Sequence, residues 1–165
     1  MRVLGKPTFL LPLLFLAGVA QSDGHAPDEA ARTEVEQGRE MIREGRIQIV
    51  RDELILTDAE AAAFWPLYAR YRQDIDAIQD DYAGMIAEYV ERYDRGEFSD
   101  EYAVELMDNF FSIKRGLLDV QEKYLPEFRD VLPALKVARL FQLENKINAE
   151  IDAQLAVVVP LIDTS

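Results

Sequence analysis

The sequence predicts an all-α fold of about four helices, and three observations support this. Along two long stretches the apolar residues recur at alternating spacings of four and three, as in helices that hold one seam against a partner. A helix-capping residue precedes each stretch, and Gly96 lies between them. No stretch shows the alternation of strands. The sequence therefore predicts a long antiparallel helical hairpin, with other helices packed beside it.

The first twenty residues have the composition of a signal peptide. Arg2 and Lys6 precede an apolar run from Phe9 to Val19, and Gly18 and Ala20 are the small residues that a signal peptidase requires. The run is shorter than the roughly 20 apolar residues that span a bilayer, which favours cleavage after Ala20 over a membrane anchor. We therefore expect an exported protein without stable membrane insertion.

Charge and composition bound the function of the remaining chain. Two of the 18 basic residues lie in the leader, which leaves 16 against 31 acidic residues and a formal charge of −15. Such a surface disfavours nucleic acid and anionic membranes as partners. The chain has no cysteine, so packing alone must hold an exported fold, and a bacterial periplasm fits this best. We predict that residues 21–32 form a disordered lead before the fold and that residues 33–165 form a single helical domain.

The first helix is expected from Thr33 to a break around Leu54–Leu56. Gly45 weakens it by about 1 kcal/mol relative to alanine, so a bend or an early end is expected there. Its candidate inward positions are Val35, Ile42, Ile49 and Val50.

The second helix is expected from Asp58 to about Asp94. Thr57 and Glu60 have the spacing of a capping box, and Gly96 can close the helix in the left-handed conformation. Pro66 predicts a kink, because a proline inside a helix removes one hydrogen bond. The seam consists of Phe64, Tyr68, Tyr71, Ile75, Ile78, Tyr82, Met85 and Tyr89.

The third helix is capped by Ser99, and Pro126 and Pro133 are expected to break the helical pattern beyond Tyr124. Pro133 also suits the start of a fourth helix, from Ala134 to about Leu155. The apolar segment Val157–Ile162 could be a docked tail or an exposed strip. The seam of the third helix consists of Leu106, Phe110, Ile113, Leu117, Val120 and Tyr124.

The residue types of common catalytic and metal sites are absent. His25 is the only histidine and lies in the predicted lead, so histidine-based nucleophilic sites, di-iron sites and zinc sites lack their ligands. We therefore expect no enzyme, no cofactor and no metal. The acidic group Asp74, Asp76, Asp80 and Asp81 could hold calcium, but a solvated helix face is the favoured interpretation.

The aromatic seam is interpreted mainly as core, although one hairpin cannot bury both sides of two long helices. Phe110 and Phe111 are adjacent and must point in different directions, which leaves apolar surface for another helix, a second subunit or a client. The candidate client or dimer surface is Trp65, Tyr68, Phe110, Phe111 and Phe141. A basic strip, Lys136, Arg139 and Lys146, either pairs with acidic neighbours or contacts an anionic partner segment.

Two five-residue segments carry a family resemblance. Leu56-Thr57-Asp58-Ala59-Glu60 resembles the Leu-Thr-x-x-Gln motif of the Spy/CpxP family of periplasmic chaperones, with Glu60 in place of glutamine. The second motif would fall at Leu132-Pro133-Ala134-Leu135-Lys136, where threonine and glutamine are both replaced. The resemblance implies an elongated, cradle-like homodimer that binds unfolded clients without ATP.

These observations favour an ATP-independent periplasmic chaperone whose partners are unfolded or partly folded envelope proteins. The first alternative is a regulatory adaptor that docks on one envelope stress receptor through the basic strip and the apolar tail. The second alternative is a structural helical bundle without client binding, in which every aromatic side chain is buried.

Overall fold

A computed structural model of the protein describes residues 29–163 and confirms the all-α fold class. Within this range the chain forms four helices, and no strand is present. They are α1 (Glu29–Glu53), α2 (Asp58–Arg95), α3 (Asp100–Val131) and α4 (Ala134–Val158). The predicted signal peptide, residues 1–20, and the predicted lead up to residue 28 lie outside the described residues.

The helix boundaries follow the sequence patterns with two informative differences. α1 begins at Glu29 rather than Thr33 and continues through Gly45. α3 continues through Pro126 to Val131, so the expected break at Pro126 is wrong. Pro126 and Glu122 are both exposed, and water can therefore solvate the Glu122 carbonyl that lacks a helical partner. On the opposite face, burial of Phe128 holds the last turns in place.

The start of α2 and the turn into α3 have the predicted capping. The Glu60 N–H donates to Thr57 Oγ1 over 3.3 Å, and the Thr57 N–H donates to Glu60 Oε2 over 2.7 Å, which completes the capping box. Gly96 has a φ of 65° and ends α2 in the left-handed region. Pro66 lies inside α2, which is one continuous helix, and the kink at this proline stays a prediction.

The chain forms two compact units, divided between Gln48 and Ile49. The described part of the first unit is the α1 segment 29–48. The second unit contains the end of α1 and the other three helices, and its core is mainly aromatic. The buried core residues are Val50, Leu54, Phe64, Leu67, Tyr68, Tyr71, Ile75, Tyr124, Phe128, Leu132, Val137 and Leu140.

Helices α2 and α3 form the predicted antiparallel hairpin. Side-chain contacts join positions 70 to 127, 74 to 123 and 82 to 110, so one residue number rises as the other falls. The helices are also close at Gly116, where an added Cβ would lie 3.4 Å from Ile78 Cδ1, an ordinary van der Waals distance. The hairpin is therefore packed along most of its length.

Helix α4 runs parallel to α2 and returns along the hairpin. Its contacts join Lys136 to Glu60, Glu144 to Tyr68 and Pro160 to Tyr89, so the residue numbers rise together. The Tyr89 hydroxyl donates to the Pro160 carbonyl over 2.7 Å, which anchors the start of the C-terminal segment. Leu161 in that segment is nevertheless exposed.

Candidate functional site

The two segments that carry the family resemblance meet in the structure. Lys136 Nζ donates to Glu60 Oε2 over 2.6 Å, so the last positions of the two five-residue segments form an ion pair. The hydrogen bond from Lys136 and that from the Thr57 N–H lower the pKa of Glu60 below its ordinary value. Leu132 is buried in the core, and Leu56 is half-buried against it.

Two residues of the basic strip are engaged within the chain. In addition to the Lys136 bond, Arg139 donates to the Glu53 carbonyl over 2.7 Å and to Glu53 Oε2 over 2.6 Å. This guanidinium thereby satisfies a carbonyl at the last residue of α1, where a cation also suits the helix dipole. Lys146, the third residue of the strip, is exposed.

A buried polar network joins α2 to α4. The Tyr68 hydroxyl donates to Glu144 Oε1 over 2.5 Å, and Arg72 Nη1 donates to Glu144 Oε2 over 3.1 Å. Arg72 Nη2 also donates to Asp76 over 2.5 Å and to Gln79 over 3.0 Å. Burial acts to lower the pKa of Arg72, but Glu144 and Asp76 raise it above its ordinary value. Glu144 is only 1% exposed, so we assign this network to packing of α4.

The acidic group of the second helix is divided among different partners. Lys123 Nζ donates to Asp74 Oδ2 over 2.8 Å, and the Tyr124 hydroxyl donates to the same oxygen over 2.9 Å. These two bonds lower the pKa of Asp74. Burial, followed by the bond to Asp74, raises the pKa of Tyr124. Within residues 29–163, no three histidine, cysteine or acidic side chains are placed to hold one metal ion.

A shallow groove lies between α2 and α3 beside Pro66. It has a volume of about 290 Å³ and is open to solvent. Arg70 and Glu127 in its wall bond to each other over 2.9 Å, so they neutralise each other rather than face a ligand. The groove is lined by Ala63, Pro66, Leu67, Arg70, Glu127, Asp130 and Val131.

The five candidate surface aromatics occupy different environments. Tyr68 is buried in the core, whereas Phe111 is exposed. Trp65, Phe110 and Phe141 are half-buried. The guanidinium of Arg51 lies 5.2 Å from the Trp65 ring centroid, and the Phe141 ring lies 6.1 Å from that of Phe128. Phe111 alone among the five is exposed within the described chain.

Phe111 belongs to an apolar row that sequence reasoning missed. We name Val104, Met107, Phe111 and Leu118 the outer stripe of α3. Spacings of three, four and seven place them on one helix face, and each is between 48% and 64% exposed. The stripe lies opposite the seam that packs on α2. The spacing was readable in the sequence, but the stronger aromatic seam of the same helix concealed it.

Four further aliphatic side chains protrude from the ends of the second unit. At one end, Ile55 lies between α1 and α2 and Leu135 lies in the first turn of α4, next to the ion pairs that Arg139 and Lys136 make with Glu53 and Glu60. Val157 and Leu161 lie at the end of α4 and in the segment after it. All four aliphatic side chains are between 82% and 89% exposed.

None of the described helices combines the length and the apolar character that a membrane span needs. Comparisons with protein-family models, with curated proteins and with solved structures find no match for this chain.

Proposed function

We propose that this protein is an ATP-independent chaperone of the periplasm that binds unfolded envelope proteins on its helical surface. The observation that carries the proposal is that the second unit exposes large hydrophobic side chains, above all those of the outer stripe. Val104, Met107 and Phe111 are neighbours on the surface of α3, and exposed apolar side chains that adjoin one another mark an interaction site in a stable protein. The fold itself does not need this surface, because a separate and well-packed aromatic core holds the helices together.

The arrangement suits contact with unfolded chains for two reasons. Unfolded clients expose apolar segments, and covering those segments lowers their free energy in water by about 25 cal/mol per Å² buried. The chain outside the predicted leader has a formal charge of −15, so complexes of this protein with its clients repel one another and aggregate less readily. Exposed apolar side chains can hold a client while the surrounding carboxylates keep the complex dispersed.

The polar groups of the structure support binding better than they support catalysis. The buried carboxylate Glu144 is 1% exposed between α2 and α4, where it accepts bonds from Tyr68 and Arg72. The adaptor hypothesis relied on the basic strip, but Lys136 and Arg139 are already bonded to Glu60 and Glu53. The chaperone is therefore the hypothesis that we put forward, with a homodimer as its proposed assembly.

The test is light scattering from a chemically denatured client that aggregates on dilution. Stoichiometric protein should suppress the scattering without added nucleotide, and an inert protein of equal mass should not. A variant with serine at all four positions of the outer stripe should suppress scattering less than the wild type. Its far-ultraviolet circular dichroism should match that of the wild type, which shows that the loss is not due to unfolding. The four positions are Val104, Met107, Phe111 and Leu118. Undiminished scattering at every ratio of protein to client would contradict the proposal.

Two further measurements address the alternatives. A pull-down from envelope extract that yields one saturable partner would favour the regulatory adaptor over the chaperone. Failure of the folded protein to bind an apolar dye would favour a structural bundle. Sedimentation over a range of concentrations tests the homodimer.

A further inference from the structure

The chemistry of the client can be inferred from the part of the hairpin nearest its turn. We infer that Val104, Met107 and Phe111 form a docking face for a cationic, amphipathic segment of a client protein. These residues lie in the hairpin tip, which we define as residues 80–113. The inference rests on the proposed function, since it names the kind of segment that the outer stripe receives.

The hairpin tip carries most of the negative charge of the second unit. It contains ten carboxylates and two arginines, a formal charge of −8. Both arginines are already engaged, Arg92 with Glu88 over 2.9 Å and Arg95 with Glu91. By contrast, the rest of α3, from Lys114 to Val131, has four acidic and four basic residues and no formal charge.

The carboxylates lie close to the apolar side chains of the stripe. Asp100, Glu101 and Asp108 are three or four residues from Val104, so they are its neighbours on the helix surface. Asp108 is also three residues from Phe111. All three carboxylate side chains are exposed. Between Asp100 and Ile113, α3 has four acidic residues and no basic residue. Val104 thus has only acidic residues among its charged helix neighbours, whereas Lys114 and Arg115 lie three and four residues beyond Phe111. The Lys114 ammonium lies 5.2 Å from the Tyr82 ring centroid on α2.

The tip presents this face on an ordered scaffold. Behind the face, the Phe98 ring lies 5.5 Å from that of Tyr89 and 5.8 Å from that of Tyr102. The Arg92 guanidinium lies 4.2 Å from the Tyr102 ring centroid. These contacts join the end of α2 to the start of α3. A preformed face loses little conformational entropy when it binds, which favours affinity.

Charge complementarity selects the occupant of the face. A segment with lysine or arginine beside its apolar residues places cations against Asp100, Glu101 and Asp108 while its apolar residues cover the stripe. A second copy of this chain would bring another tip of charge −8 if the two tips paired, and like charges in contact are unfavourable. An anionic client segment meets the same repulsion. The face therefore fits a cationic segment better than either.

The experiment uses designed peptides of about 18 residues, a length of five helical turns. The first peptide places leucines on one helix face and lysines on the other. The second replaces each lysine with glutamate, and the third scatters the same leucines and lysines around the helix. We expect the protein to bind the first peptide at least about tenfold more tightly than either of the others, measured by fluorescence anisotropy. The affinity should fall as NaCl rises towards about 1 M.

Matched variants separate the tip from the rest of α3. The double variant Met107→Ser, Phe111→Ser should bind the first peptide roughly tenfold or more weakly, since it removes apolar contact area. Glu101→Gln with Asp108→Asn should weaken binding and reduce its salt dependence. The control is the double variant Asp119→Asn, Glu122→Gln, on α3 beyond the tip, which should bind the first peptide as the wild type does.

Three results would overturn the inference. The first is equal affinity for the lysine and glutamate peptides, and the second is an equal loss of affinity in the tip and control variants. The third is self-association that the Met107→Ser, Phe111→Ser variant abolishes while peptide binding persists, because this would assign the face to a second copy.

The same variants separate this inference from the proposed function. Suppression of aggregation that is equal for cationic and anionic clients, and insensitive to the tip variants, would leave the chaperone function intact and reject the docking face. Tip-dependent peptide binding without suppression of any aggregating client would support the docking face and contradict the chaperone function.

Discussion

At the scale of single residues, several charged side chains of the second unit serve the attachment of α4 to the rest of the unit. Lys136 and Arg139 bond to Glu60 and Glu53 near one end of the helix. Further along, Glu144 accepts bonds from both Tyr68 and Arg72. The exposed pairs contribute little on their own, because solvent and salt screen them. The enclosed Glu144 has the larger effect, since loss of one partner leaves a buried charge without compensation.

Glu144→Gln should reduce the free energy of unfolding by about 3 kcal/mol, the lower end of the range for breaking a buried pair. The lower end applies because Arg72 keeps its bonds to Asp76 and Gln79. Urea unfolding followed by circular dichroism measures the change. The matched control is Glu91→Gln, which removes the exposed pair with Arg95 and should cost less than about 1 kcal/mol. Equal costs for the two variants would contradict this account of the network.

At the scale of helices, α3 has apolar residues on two faces. Its inner seam packs on α2, and its outer stripe is left uncovered in the second unit. Helix α2 has a defined cap at each end. Thr57 caps its start, and Gly96 adopts the left-handed conformation that ends it. The glycine inside α2 and the glycine at its C-terminal cap therefore have opposite roles, because Gly84 lies within the helix and Gly96 lies after it.

The same substitution at these two glycines should have opposite effects. Gly84→Ala should raise the free energy of unfolding by about 0.5–1 kcal/mol, because a Cβ there meets nothing within 4 Å and alanine restricts the unfolded chain. Gly96→Ala should lower it by about 1 kcal/mol, because φ is 65° there and an L-residue is strained in that region. Thermal unfolding of the two variants measures both shifts. Shifts of the same sign would show that the αL conformation does not determine the role of Gly96.

At the scale of the whole molecule, the second unit separates an aromatic core from an apolar surface. The core lies where α2, α3, α4 and the end of α1 meet, and Phe64 in it is fully buried. The outer stripe lies on the far side of α3. Negative charge is also unevenly placed, since the hairpin tip has a formal charge of −8 and the rest of α3 has none. Packing and proposed binding thus occupy different parts of the unit.

Two phenylalanine substitutions test this separation. Phe64→Ala should reduce the free energy of unfolding by about 3–5 kcal/mol, because it removes a fully enclosed ring and leaves a cavity. Phe111→Ala should change it by less than about 1 kcal/mol, since that ring is 49% exposed. Urea unfolding of the two variants gives the comparison. A loss at Phe111 as large as that at Phe64 would mean that the outer stripe is part of the folded core.

The candidate surface could be predicted from the sequence only in part. The sequence placed Phe111 among the exposed candidates because it adjoins Phe110, and adjacent helical residues cannot face the same way. It could not predict that Tyr68 is buried, because the partner of its hydroxyl, Glu144, is 76 residues away in the chain. The pairing of Glu60 with Lys136 was also hidden, since it requires α4 to run beside α2.

Local sequence was sufficient for the all-α class, the caps at Thr57 and Ser99 and the hairpin turn at Gly96, because these depend on residues a few positions apart. It failed at Pro126, where a local rule predicts a break and burial of Phe128 against the core keeps α3 helical to Val131. The tertiary structure determines which apolar face of α3 is buried. Periodicity defines the faces of a helix, but burial of a face depends on the helices that pack against it, and these come from distant parts of the chain.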